Sequence, residues 1–106
     1  MSAMPQPVDY SHLDVQAAGD RSVMREVLGL FIAHCEQVLD ELDQAQDAKT
    51  WKQWTHTLKG SARGIGAFAV ADAAEAAERH SLDKSKLAPL RQAFTEARAF
   101  ISSHPL

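Results

Sequence analysis

His56, Lys59 and Arg63 stand at steps of three and four within Trp54-Thr55-His56-Thr57-Leu58-Lys59-Gly60-Ser61-Ala62-Arg63-Gly64-Ile65-Gly66. In an α-helix turning about 100° per residue, all three project from one side together with Gly60, while Trp51, Trp54, Leu58 and Ile65 fall on the other. A neutral imidazole with a free ring nitrogen is a nucleophile. Lys59, with Arg63 and Lys52 in support, would stabilise negative charge arriving on that nitrogen. A phosphoryl group satisfies both conditions. Metal binding is the competing use of histidine, but His12, His34, His56, His80 and His104 are scattered and no pair has the i, i+4 spacing of a helical zinc site. Cations beside His56 also oppose a metal ion. A hydrolytic Ser–His–Asp site converges in space rather than in sequence. A small helical chain offers no evident substrate cleft, however, and no acidic residue neighbours His56 in sequence to orient its ring.

The charge distribution singles out the same stretch. The formal charge is only −3 over 106 residues, which gives no general affinity for nucleic acid. All 14 acidic residues lie at or before Asp47 or at or after Asp72. The segment between carries Lys49, Lys52, Lys59 and Arg63 with nothing in sequence to neutralise them, a local positive patch with His56 inside it. Cys35 is the single cysteine, so an intrachain disulfide is impossible, and its place on an apolar stripe reads as a buried, unreactive thiol. No apolar run is long enough to span a bilayer, and no n-region followed by an h-region precedes the body of the chain. The expectation is a cytoplasmic protein.

The elements that must position His56 are helical. Met1 to Val8, with Pro5 and Pro7, reads as a flexible lead-in (residues 1–8), and the folded domain is expected over 9–104. Asp9 caps a short helix through about Ala18, Gly19 suits its C-terminal turn, and Asp20 caps the next helix. From Arg21 to about Gln46, Met24, Val27, Leu28, Phe31, Cys35, Val38, Leu42 and Ala45 recur at three- and four-residue steps, with His34 at the edge of the stripe. Asp47-Ala48-Lys49 reads as a turn, followed by a third helix from about Thr50 to Gly64 or beyond. Interior glycines there disfavour the helix by about 0.8 to 1 kcal/mol each relative to Ala. Gly60 on the His56 side therefore calls for a reason, and clearance for another molecule's backbone is one; Gly64 and Gly66 loosen or end the helix.

Ala67 to Leu82 reads as an alanine-rich fourth helix with Val70, Ala73, Ala74, Ala77 and Ser81 on one face, permitting close packing. Phe68 lies on the other face with Asp72, Glu75 and Arg79, either folded back over the core or exposed as an apolar contact for a partner. After a turn over Ser81–Ser85, Pro89 sits in the first turn of a last helix whose stripe is Leu87, Leu90, Phe94, Ala97 and Ile101, and Pro105 ends it. No segment alternates like a strand. The expected fold is all-α, an antiparallel up-down four-helix bundle with a short additional N-terminal helix.

His56-Thr57-Leu58-Lys59-Gly60-Ser61-Ala62, followed by Ile65-Gly66, resembles the signature of histidine-containing phosphotransfer domains, and the resemblance extends from about Asp9 to Ile101. It implies a phosphorelay intermediate that takes a phosphoryl group from a receiver-domain aspartate and passes it to an aspartate on another receiver. His56 would be the phosphorylated residue and Lys59 the cation supporting the phosphoryl oxygens, with Gly60 leaving room for the receiver. Arg63, Lys52, Phe68 and Glu78 complete the expected partner-binding set. Many family members have a glutamine twenty-two residues after the histidine; this chain has Glu78. That carboxylate would orient the imidazole, pair with Lys59 or Arg63, or stand solvated, and it would repel a phosphoryl group.

The resemblance implies no metal site and no cofactor on this chain, the Mg²⁺ and acidic pocket belonging to the receiver. It implies receiver domains of response regulators or hybrid histidine kinases as partners, no nucleic acid or membrane, and a monomer. No Gly-rich phosphate loop follows a strand, so a kinase nucleotide-binding domain is not expected. The alternative is an adaptor of the same fold that docks a receiver or kinase without carrying phosphate.

Overall fold

The computed structural model describes residues 6–106. Aspartates open three of its helices: an aspartate side chain accepts the unpaired N–H groups of a first turn. Asp9 accepts from His12 N and starts α1 (Tyr10–Gln16). Asp20 accepts from Ser22 N and Val23 N and starts α2 (Arg21–Gln44). Asp47 accepts from Thr50 N at 2.7 Å and starts α3 (Ala48–Ile65). The expected turn at Asp47–Lys49 is thereby corrected: Asp47 is a cap, α3 begins two residues earlier, and the connection from α2 is Ala45–Asp47. α4 (Phe68–Arg79) follows a single corner, a 3₁₀ turn (Lys84–Lys86) is capped by Asp83, and α5 (Leu87–Ser103) closes the chain. No strand occurs among the described residues. No described helix is long and apolar enough to cross a membrane.

α3 packs against α4 and α2, α4 against α5, and α5 back against α2, so these four helices enclose one core; α1 lies on α2 and α3. Trp51, Leu58, Ala62 and Ile65 bring the apolar face of α3 inside, and Trp54 is half-buried beside them. Thr55 is buried as well and satisfies its hydroxyl by donating to Trp51 O at 2.9 Å. On α4, Val70, Ala71, Ala74 and Ala77 are buried, small enough for α3 to approach closely. Trp51 Nε1 donates to Ala77 O at 2.7 Å across that seam, fixing the two helices in register. Ser81, expected on this face, is exposed and beyond the helix, which stops at Arg79 before Leu82 turns through φ 62.

Two junctions hold α3 in place. At its C-terminus Gly66 adopts φ 87, and Ala67 N donates back to Ala62 O at 2.8 Å. Gly66 O accepts from Asp9 N at 2.9 Å, and a Cβ on Gly66 would fall 2.7 Å from Asp9 O. Only glycine suits both the backbone angle and the space. Residues 1–5 of the expected lead-in lie outside the described residues, but Val8 is 1% exposed and part of the core, so the packed chain begins ahead of Asp9. At the other end, Lys84 Nζ donates to Leu42 O, Asp43 O and Ala45 O at 2.6, 2.9 and 3.1 Å, supplying partners to the last carbonyls of α2. The same ammonium lies 5.5 Å from the Trp51 ring centre.

Candidate functional site

With Trp51, Leu58 and Ile65 inside, the helical repeat turns His56 outward, and its side chain is 67% exposed. The ring is nevertheless held. Its Nδ1 lies 3.0 Å from Glu78 Oε2, and Lys59 Nζ donates to Glu78 Oε1 at 2.7 Å. Glu78 and Lys59 are 15% and 17% exposed, so one carboxylate, largely screened from water, bridges the histidine and the lysine. The Lys59 hydrogen bond holds the Glu78 carboxyl below its ordinary range against the opposing effect of partial burial, and His56 adds to the lowering.

The expected uncompensated positive patch is corrected here. α4 lays two carboxylates along the polar flank of α3: Glu78 meets His56 and Lys59, and Glu75 meets Arg63 Nη2 and Arg79 Nη2, both at 3.4 Å. The absence of an acidic residue near His56 in sequence is thus made good across the seam. Glu78 both orients the imidazole and pairs with Lys59, and it leaves Arg63 to Glu75. Glu75 is the site neighbour that sequence reasoning missed. The signal was available in the helix pair itself: once Gly66 is the corner, 56 and 78 stand at comparable distances on either side of it.

Of the remaining expected site residues, Gly60 is exposed beside this cluster, and a Cβ there would meet nothing within 4 Å. Its missing side chain serves no internal packing. Lys52 is exposed and shares a shallow cleft with Lys49, Gln53 and His56. Phe68 is not brought to the cluster: it opens α4 ten residues from Glu78, about 15 Å along the helix. There it is 43% exposed and meets the His12 ring edge-on at 5.3 Å, neither folded into the core nor near His56.

The other histidines and the thiol stay apart. His34 is half-buried in a groove with Phe31, Ser61 and Ile65, its Nε2 unpartnered and its pKa lowered by burial. His104 stacks on Phe100 at 4.0 Å. Cys35 is wholly buried, and burial, with Glu36 adding, pushes its thiol up to about 12, which keeps it unreactive. No group of three His, Cys, Asp or Glu suited to a metal ion occurs among the described residues.

A solvent-facing imidazole, anchored through one ring nitrogen and flanked by a lysine on a rigid helix, is the geometry of a nucleophile. The comparisons with known proteins give the family. The family model of the Hpt domain matches residues 26–101, so the chain belongs to the Hpt, or histidine phosphotransfer, family, whose members are phosphocarriers rather than kinases and work with receiver domains. The crystal structure of histidine phosphotransferase ShpA from Caulobacter crescentus is similar at 34% sequence identity, with a TM-score of 0.69 over 92% of each chain. Among curated protein sequences, none matches.

Proposed function

We propose that the protein is a phosphorelay intermediate, in which His56 accepts a phosphoryl group from a receiver-domain aspartate and passes it to an aspartate of another receiver. The observation that carries this reading is the exposed His56 ring fixed through Nδ1, 3.0 Å from Glu78 Oε2. An ionised carboxylate only accepts hydrogen bonds, so Nδ1 carries the proton and the Nε2 lone pair faces outward. That pair attacks phosphorus, the bond to the aspartyl oxygen breaks, and the aspartate leaves as a carboxylate. The ring becomes an N-phosphoimidazolium whose Nδ1 proton rests on Glu78. In the second transfer a receiver carboxylate oxygen attacks phosphorus, the N–P bond breaks, and its electron pair returns to Nε2. The neutral ring reappears with its proton where it began, and neither step exchanges a proton with solvent.

Lys59 supplies positive charge to the phosphoryl oxygens, and Gly60 gives the receiver's backbone room to reach Nε2. The ring of contacts among α2, α3, α4 and α5 supports reading them as an antiparallel up-down four-helix bundle. The chain needs no cofactor of its own, and Mg²⁺ belongs to the receiver. The test is incubation with a phosphorylated receiver: acid-labile label is expected on the parent and absent from His56→Gln. Equal labelling of the two would overturn the proposal.

A further inference from the structure

The cations along α3 are not equivalent. Lys59 is engaged by Glu78 and Arg63 by Glu75, whereas Lys49 and Lys52 form no ion pair with any described residue. Lys52 precedes His56 by four positions and Lys49 by seven, so both rise on the His56 side, one and two turns toward the N-terminus. With Gln53 and His56 they line one shallow cleft floored by aliphatic stems. Asp47, the acid nearest Lys49 in sequence, is turned to its capping role, accepting from Thr50 N at 2.7 Å and Thr50 Oγ1 at 3.1 Å. The field around His56 is therefore lopsided. It is balanced by paired carboxylates toward Arg63, whereas toward Lys49 only the Asp47 carboxylate, held on its cap and outside ion-pair distance, offsets the two lysines.

We infer that the receiver seats over the N-terminal half of α3, with the acidic rim of its phosphoaspartyl pocket against Lys49 and Lys52 and away from Arg63. This rests on the reading of His56 as the phosphoryl acceptor. The occupant follows from charge complementarity: a pocket that binds a divalent cation beside a phosphoaspartate is built from carboxylates, and the free positive charge at this site is on these two lysines. Gly60 leaves the surface open on the other side of His56, so the partner spans the histidine while its charge is matched on one flank. Unpaired exposed cations act at a distance and are screened by salt, so their contribution falls on the encounter rate rather than on the bond-making step.

The test uses a receiver domain that labels His56, phosphorylated with acetyl phosphate, and follows transfer at limiting and saturating receiver across a range of salt. K49E/K52E is expected to lower the second-order rate constant about tenfold at low salt and to flatten its salt dependence, with a smaller loss in the saturated rate. K49Q/K52Q should show a smaller loss in the same direction, and it repeats the measurement should charge reversal disturb the helix. R63Q is expected to lose less than K49Q/K52Q. A double variant with unchanged rate constant and salt slope, or R63Q matching its loss, would overturn the inference. Labelling of His56→Gln would instead defeat the underlying reading.

Discussion

Glu75 and Glu78 stand one turn apart on α4, and each is shared between two basic side chains. Glu78 is 15% exposed and its contacts are 2.7 and 3.0 Å; Glu75 is 33% exposed and both of its contacts are 3.4 Å. Glu78 is itself largely screened from water and one of its partners is a ring nitrogen, so its geometry selects a tautomer. The farther pair is a surface network of arginines in solvent, where ion pairs contribute little. Equal chemistry at equal helical spacing thus does two jobs, and burial with distance decides which.

Removing the inner carboxylate is expected to have the largest effect. E78L should slow transfer to and from the receiver about ten- to a hundredfold, and ring ¹⁵N shifts should report loss of the Nδ1–H preference. With that proton no longer held, imidazole is a poorer leaving group near pH 8, so phosphorylated E78L should also hydrolyse more slowly there than the parent. Its hydrolysis should approach the parent's as acid supplies the proton. Unaltered shifts and lifetime would reduce Glu78 to the status of Glu75. The same group links stability to pH. Because its carboxyl is lowered in the folded state, its contribution is present above the ordinary carboxylate range, about pH 4, and is lost as pH falls through the folded value. Denaturant titrations of E78Q should lack that part of the acid limb.

K59A comes next. Transfer is expected to fall about tenfold while stability drops by only about 1 kcal/mol, since Glu78 keeps His56 as a partner and can turn to water although Lys59 itself is 17% exposed. A melting point lowered by many degrees would place the lysine in the fold instead. The smallest effect belongs to the outer carboxylate. E75A should shift stability by under about 0.5 kcal/mol and leave transfer within about twofold. If E75A slows transfer as E78L does, the distinction between the two carboxylates fails.

Much of this was legible in the chain. The stripe from Met24 to Leu42 gave α2, and the outward face of His56 followed from the buried positions of Trp51, Leu58 and Ile65. Boundaries slipped where one residue type serves two purposes. Asp47 reads as a turn former, but Thr50 three residues on makes it a cap. The alanine-rich pattern runs past Arg79 although the helix does not, because apolar spacing cannot register the backbone reversal at Leu82. The charge reading failed for a different reason. Neutralisation of Lys59 and Arg63 comes from another helix, and a linear count of acids cannot see across a seam.

Gly66 carries a consequence beyond its own angle. It sets where α4 starts, and α4 turns about 100° for each residue added or removed at its start. One extra residue at this corner would leave every side chain of the site intact in sequence and swing Glu78 off the flank of α3. The tautomer of His56 is therefore written partly in the length of a bend ten positions away.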